Sequence, residues 1–191
     1  MRRTIPLALA ACLTVAGCAG SSDGRDDRDD KATVTKASGS ASARPAPGAT
    51  PAPAPAMLAI GETADITFSE GELTATVLAF RDEGIRSDPD LLTQGHKWAL
   101  VEARVCNKTA RVVSVSPFTW TLAYADGVRV EPAHMSSGLP RPLYPVGAKV
   151  RAGDCVRGNI TFEVPDEGRP ERVLYSPEVV DEPVEWQLPE K

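Results

Sequence analysis

The chain has few of the residues on which most active sites depend. Two histidines, four cysteines and ten aromatic residues are spread over 191 positions. No G-x-S-x-G elbow, H-E-x-x-H helix, S-x-x-K pair or glycine-rich phosphate loop occurs among them. Nucleophilic, metallohydrolytic and phosphoryl-transfer chemistry therefore lack their usual carriers, and neither an enzyme nor a bound cofactor is expected. Clustered basic residues are missing as well. Arg104, Arg111, Arg129, Arg151 and Arg157 are scattered among acids, and the formal net charge of -5 leans on Glu178, Asp181, Glu182, Glu185 and Glu190 near the end. That distribution disfavours a phosphate backbone as partner, so nucleic acid is not expected. No apolar run reaches the roughly 20 residues that a membrane-spanning helix needs, and no stretch holds a helical period.

All ten aromatic residues lie beyond residue 57, and the densest prolines, Pro45, Pro47, Pro51, Pro53 and Pro55, lie before it. A packed domain is therefore expected over residues 57–191, a length that buries roughly two thirds of its unfolded surface. Residues 19–56 hold almost no large apolar side chain apart from Val34. They cannot bury enough surface to order themselves, and are expected to be a disordered tether, Asp-rich first and Pro/Ala-rich after. The run Asp23 to Asp30 superficially resembles a calcium loop. It lacks the turn glycine and the downstream glutamate, and reads as a solvated charge run.

Arg2 and Arg3 precede an apolar run from about Ile5 to Gly17, a signal-peptide core by its length. The run closes on Val15-Ala16-Gly17-Cys18, which resembles the bacterial prolipoprotein cleavage motif, with small residues before an obligatory cysteine. The resemblance implies a signal peptide over residues 1–17 and a Cys18 that carries acyl chains. Two chains are what stable membrane anchoring requires. The expected address is the outer, extracytoplasmic face of the cell membrane, with the tether of residues 18–56 holding the domain among envelope proteins or cell-wall components.

Within the domain the clearest strand is Trp98 to Asn107. Ala99, Val101, Ala103 and Val105 recur at every second position while Glu102 and Arg104 take the other parity, so one face meets a core. Strands are also expected at Ala64–Phe68, Leu73–Phe80, Val112–Val115, Phe118–Tyr124, Val128–Val130, Val156–Val164, Arg172–Tyr175 and Val184–Leu188. In Leu73–Phe80 the apolar parity switches after Val77, which predicts a bulge. Asp126-Gly127 predicts a hairpin turn. Short strands with regular turn signals argue an antiparallel sandwich.

Cys106 ends one strong strand and Cys155 begins another, both on the polar parity. Antiparallel neighbours would bring them together, and an oxidising compartment would join them in a disulfide. Such a bond is worth about 4 kcal/mol in the chain-entropy model. The alternative, a redox or metal pair, lacks the C-x-x-C spacing.

Gly95, the run into Val105, Asn107, Ser116-Pro117-Phe118, Asp126-Gly127, Ala152-Gly153 and the stretch from Gly158 through Phe162-Glu163-Val164-Pro165 occur in this order. Together they resemble an Ig-like bacterial lipoprotein family catalogued as a domain of unknown function. Members of that family are sometimes labelled telomeric-repeat-binding-factor-like, which an envelope address contradicts. The resemblance implies an immunoglobulin-like β-sandwich on a lipid-anchored tether, with no catalytic residues to transfer.

Function is then expected from a binding or scaffold surface. Two long polar connections are the candidate loops, Arg81 to Gln94 with Asp82, Glu83, Asp88 and Asp90, and Pro132 to Val146 with His134 and Met135. Asp88 and Asp90 lack the partner that glycoside chemistry would need. The alternative is a copper carrier, because thioether plus imidazole at His134-Met135 suits Cu(I).

Overall fold

Period-two alternation turns into strands along nearly the whole domain, in a computed structural model that describes residues 33–36, 57–87, 89–134 and 138–190. In chain order the strands are β1 (Thr33–Lys36), β2 (Leu58–Ala59), β3 (Thr63–Phe68), β4 (Gly71–Arg81), β5 (His96–Asn107) and β6 (Val113–Val115). After these come β7 (Trp120–Ala123), β8 (Arg129–Val130), β9 (Ala148–Val150), β10 (Cys155–Pro165), β11 (Arg172–Tyr175) and β12 (Val184–Gln187). One sheet runs β1-β3-β4-β5-β10, the other β2-β12-β11-β7-β8, and β6 pairs with β9 in a separate ribbon. Among the described residues no helix is long and apolar enough to cross a membrane.

The layer between the sheets is the core. The first sheet lines it with small and β-branched residues, Ala64, Ala75, Ala99, Ala103, Val77, Val101 and Val105, all wholly buried. The second supplies the bulk. Trp120 stacks on Tyr175 at 4.3 Å between ring centroids, Trp186 lies 5.8 Å from Trp120, and Tyr144, from the connection before β9, meets it edge-on at 6.4 Å. With Phe162 of β10 added from the first sheet, small residues facing large ones let the two layers interdigitate at crystal-like density. Trp186 also satisfies its indole, donating Nε1–H to the Glu62 carbonyl at 2.9 Å.

The bulge falls where the parity predicts it. Val77 pairs with Ala103 and Ala79 with Glu102, so Leu78 is the extra residue that returns Phe80 to the side of Val101. Cys155 stands directly opposite Cys106 in the β5–β10 register, and the two form a disulfide. The Asn107 N–H donates to the Asp154 carbonyl next door. The cysteines therefore occupy a non-hydrogen-bonded pair, where side chains approach most closely.

Several expectations are corrected. Thr33–Lys36, expected to be part of a disordered tether, adds to the sheet as β1, antiparallel to β3, with Thr33 opposite Thr67 and Lys36 opposite Ala64. Its one apolar residue, Val34, packs against the core. The backbone of a sheet edge supplies the partners that the local sequence does not. Phe118, expected on a strand, sits in a 3-10 turn over Pro117–Thr119 capped by the Ser116 side chain, and is left exposed. The sandwich is also not wholly antiparallel. Leu58 and Ala59 pair in parallel with Trp186 and Gln187, a pairing possible because the entire domain lies between them as the connection.

Asn159 and Thr161, on the polar parity of β10, are buried. The cause is the long connection before β9, which lies against the free edge of β10. The Tyr144 N–H donates to the Asn159 carbonyl, the Asn159 N–H to the Pro142 carbonyl, and the Ala133 N–H to the Thr161 carbonyl. Trp98 and Leu100 on β5 are buried on that same outward parity. There the other long connection folds back, fixed by the Thr93 N–H donating to Glu163 Oε1 at 2.7 Å.

Candidate functional site

The two ends of the sandwich are built from different chemistry. At one end β4 finishes, β5 begins, and the turn between β10 and β11 passes across. Asp82 is 6% exposed there, with one carboxylate oxygen 3.2 Å from Lys97 Nζ and the other 2.8 Å from Arg169 Nη1. The Arg169 guanidinium lies over the Phe80 ring at 5.0 Å. Tyr124 joins from the second sheet. Burial raises its phenol above the usual value, and the negative charges of Asp82 and Asp126 push the same way. Among the described residues the Tyr124 hydroxyl and Arg169 Nε are buried without a hydrogen-bond partner. This end is a polar plug between the sheets.

The opposite end is open. Phe68 and Leu73 from the β3–β4 hairpin, Val113 and Val115 from β6, and Tyr175 and Val179 at the exit of β11 enclose a groove of about 330 Å³. Tyr175 is almost wholly buried, and burial raises its phenol well above the ordinary range. Its ring is stacked on Trp120, so the groove floor is the surface of the aromatic core. Glu70 and Glu178 stand at the lip. Glu70 is paired with Arg111 at 2.7 Å, whereas Glu178 is exposed and has no ion pair or hydrogen bond among the described residues. Val112, next to the β6 wall in sequence, is 56% exposed.

One residue supports this end from beneath. Asn107, the last residue of β5, is completely buried. Its Nδ2 donates to the carbonyls of Arg111 and Val150, and its Oδ1 accepts from the Thr109 N–H. The amide thereby ties the β5–β6 turn to β9, and so fixes the strand that forms the groove wall.

The candidate loop residues come out differently. Asp82 is consumed by the plug. Glu83 and Asp90 are exposed and engaged in other interactions, while Asp88 lies outside the described residues. His134 is exposed, with its ring 4.9 Å from that of Phe118; Met135 lies outside the described residues, as does Cys18. Among the described residues no three His, Cys, Asp or Glu side chains gather where they could hold a metal ion. The groove was missed because its walls come from segments more than a hundred residues apart, each an ordinary stretch of strand or turn. The exposed Val112 beside an alternating strand was the one local hint.

A family model described as a domain of unknown function (DUF4352) matches residues 59–184. Among solved structures, the chain is similar to MPT63, a secreted protein from Mycobacterium tuberculosis. The identity is 17% and the TM-score 0.56, over 71% of this chain and 98% of that one. It is also similar to the yjhA protein from Bacillus subtilis, at 19% identity and a TM-score of 0.45, over 65% of this chain and 84% of that one. No curated protein matches it in sequence. The first likeness bears on the fold, and agrees with a β-sandwich.

Proposed function

The chain belongs to the family described as a domain of unknown function (DUF4352), and from that premise we propose that it is an extracytoplasmic, lipid-anchored binding module whose working end is the open groove. The groove is the observation that carries this reading. It has the size and the mostly apolar lining of a small-ligand site, while parts of both candidate loops lie against sheet surface. The anchor rests on Cys18 at the end of the signal-peptide run, and membrane contact is through its lipid. The Cys106–Cys155 disulfide fits an oxidising compartment. The ligand is a component of the envelope, bound without catalysis, cofactor or nucleic acid.

The test has two arms in intact cells. A Cys18→Ser chain should leave the membrane fraction while the unaltered chain stays; equal distribution would end the lipid-anchor reading. A photo-crosslinking residue at position 179, on the groove wall, should capture a ligand that the same residue at the exposed turn position Asp126 does not. Identical products from the two positions would remove the groove as the working surface.

A further inference from the structure

The tether enters the fold at the open end. β1 runs antiparallel to β3 with Thr33 opposite Thr67, so its N-terminal end lies one residue from Phe68, which lines the groove. Residues 19–32, fourteen in number, separate Cys18 from Thr33. Fully extended they span at most about 50 Å. Resting on the reading of the chain as a lipid-anchored binding module, this places the groove at the end of the domain from which the anchor arrives, within that distance of a bilayer. The plugged end is the one turned away.

The groove's chemistry then narrows the ligand. Its walls are mostly apolar, with Ser114, Ser116 and Thr119 among the lining, its floor is the edge of an aromatic core, and the uncommitted charge at its lip is the carboxylate of Glu178, since Glu70 is taken by Arg111. A volume of about 330 Å³ is at the small end of ligand sites, and is enough for a single alkyl chain. We propose that the groove receives the alkyl chain of a cationic amphiphile drawn from the membrane surface, with Glu178 facing its ammonium head. Apolar burial supplies the affinity, and the carboxylate selects the sign of the head group.

The proposal is tested on the chain from residue 18 onward carrying Cys18→Ser, titrated calorimetrically with octylamine, decylamine, dodecylamine, dodecanol and dodecanoate below their aggregation concentrations. The amines should saturate at one per chain and tighten about four-fold per added methylene until the groove is full. Dodecanoate should bind at least ten-fold more weakly than dodecylamine. Glu178→Gln should weaken dodecylamine several-fold and leave dodecanol unchanged. Val179→Arg, a side chain already partly exposed, should abolish binding of all of them without lowering the melting temperature. Should Val179→Arg unfold the domain, Val113→Arg on the opposite wall provides the same block. Absence of saturable binding, equal affinity for dodecanoate and dodecylamine, or full binding by a folded Val179→Arg or Val113→Arg chain would each overturn the proposal. A groove that ignores the amines while a crosslinker at position 179 still captures a protein in cells would refute the amphiphile and retain the binding module.

Discussion

A Cβ added to Gly158 would lie 2.5 Å from the backbone nitrogen of Tyr144 and 2.6 Å from the carbonyl of Leu143. The obstacle is backbone on both sides of the contact, and it cannot swing away. Gly158 therefore holds a place on β10 that only glycine fits, and its bareness lets the connection before β9 lie flat along the sheet edge. Gly158→Ala should lever that segment off, at a cost of about 1–3 kcal/mol, and uncover the backbone donors and acceptors of β10. Chemical denaturation should report the loss of stability. Light scattering on warming should report association through the uncovered edge.

The Cys106–Cys155 bond closes a loop of 49 residues in sequence separation. Replacing both cysteines by serine should lower stability by about 2–5 kcal/mol, measured as the midpoint of denaturant unfolding without reductant. Adding reductant should lower the parent's midpoint and leave that of the double variant where it was.

Asp82 is nearly inaccessible and neutralises two cations. Asp82→Asn should cost about 3–5 kcal/mol, because it strands Lys97 and Arg169 at the end of the core. Asp82→Leu with Lys97→Met should recover part of that loss, since an apolar replacement leaves one fewer charge to satisfy. A loss under 1 kcal/mol in the first variant would show that water enters the plug freely.

Glu163 titrates below the ordinary carboxylate value, chiefly because its side chain accepts a hydrogen bond from Thr93 and its charged form is thereby favoured. A carboxylate whose folded value is depressed contributes stability that is complete above its unfolded value and is lost as pH falls through the folded one. Protection of the Thr93 amide against hydrogen exchange should therefore be flat at neutral pH and decline as pH drops below about 4. Glu163→Gln should remove the pH dependence.

β1 is held by four residues of ladder and the single apolar contact of Val34. Val34→Asp should detach it at a cost of no more than about 1 kcal/mol. Amide exchange along β3 should accelerate while β5 and β10 stay protected, because loss of an edge strand is a local opening and not a global one.

The parts of this fold that the sequence discloses are those with a strict period of two. β5 is read from Ala99, Val101, Ala103 and Val105 alone, the β4 bulge from a switch of parity after Val77, and the disulfide from cysteines at facing strand ends. What stays hidden is whatever depends on a distant edge. Thr33–Lys36 carries one apolar residue and gives no periodic signal; only the unpaired backbone of β3 makes it a strand. Asn159 and Thr161 have the polarity of an outer face and are buried by a connection that precedes them by more than a dozen residues. Asp82 looks like a loop acid because its two cations, Lys97 and Arg169, are separated from it by 15 and 87 residues. The groove is less legible still. Its walls become a site through the spacing of two sheets, which no local pattern records.

Leu58 lies beside Trp186, so from β2 onward the chain begins and ends on neighbouring strands of one sheet. A unit that starts where it finishes is a cassette. It can be spliced into a surface loop of another protein without prising that loop apart. Because β2 and β12 run parallel, rejoining the chain from residue 190 to residue 57 takes a linker long enough to cross back, and reopening it at the Asp126-Gly127 hairpin then leaves β2 to β12 with their neighbours while β1 is given up. Such a permuted chain would present new termini at the plugged end and leave the groove unencumbered, so the domain can be displayed from either direction.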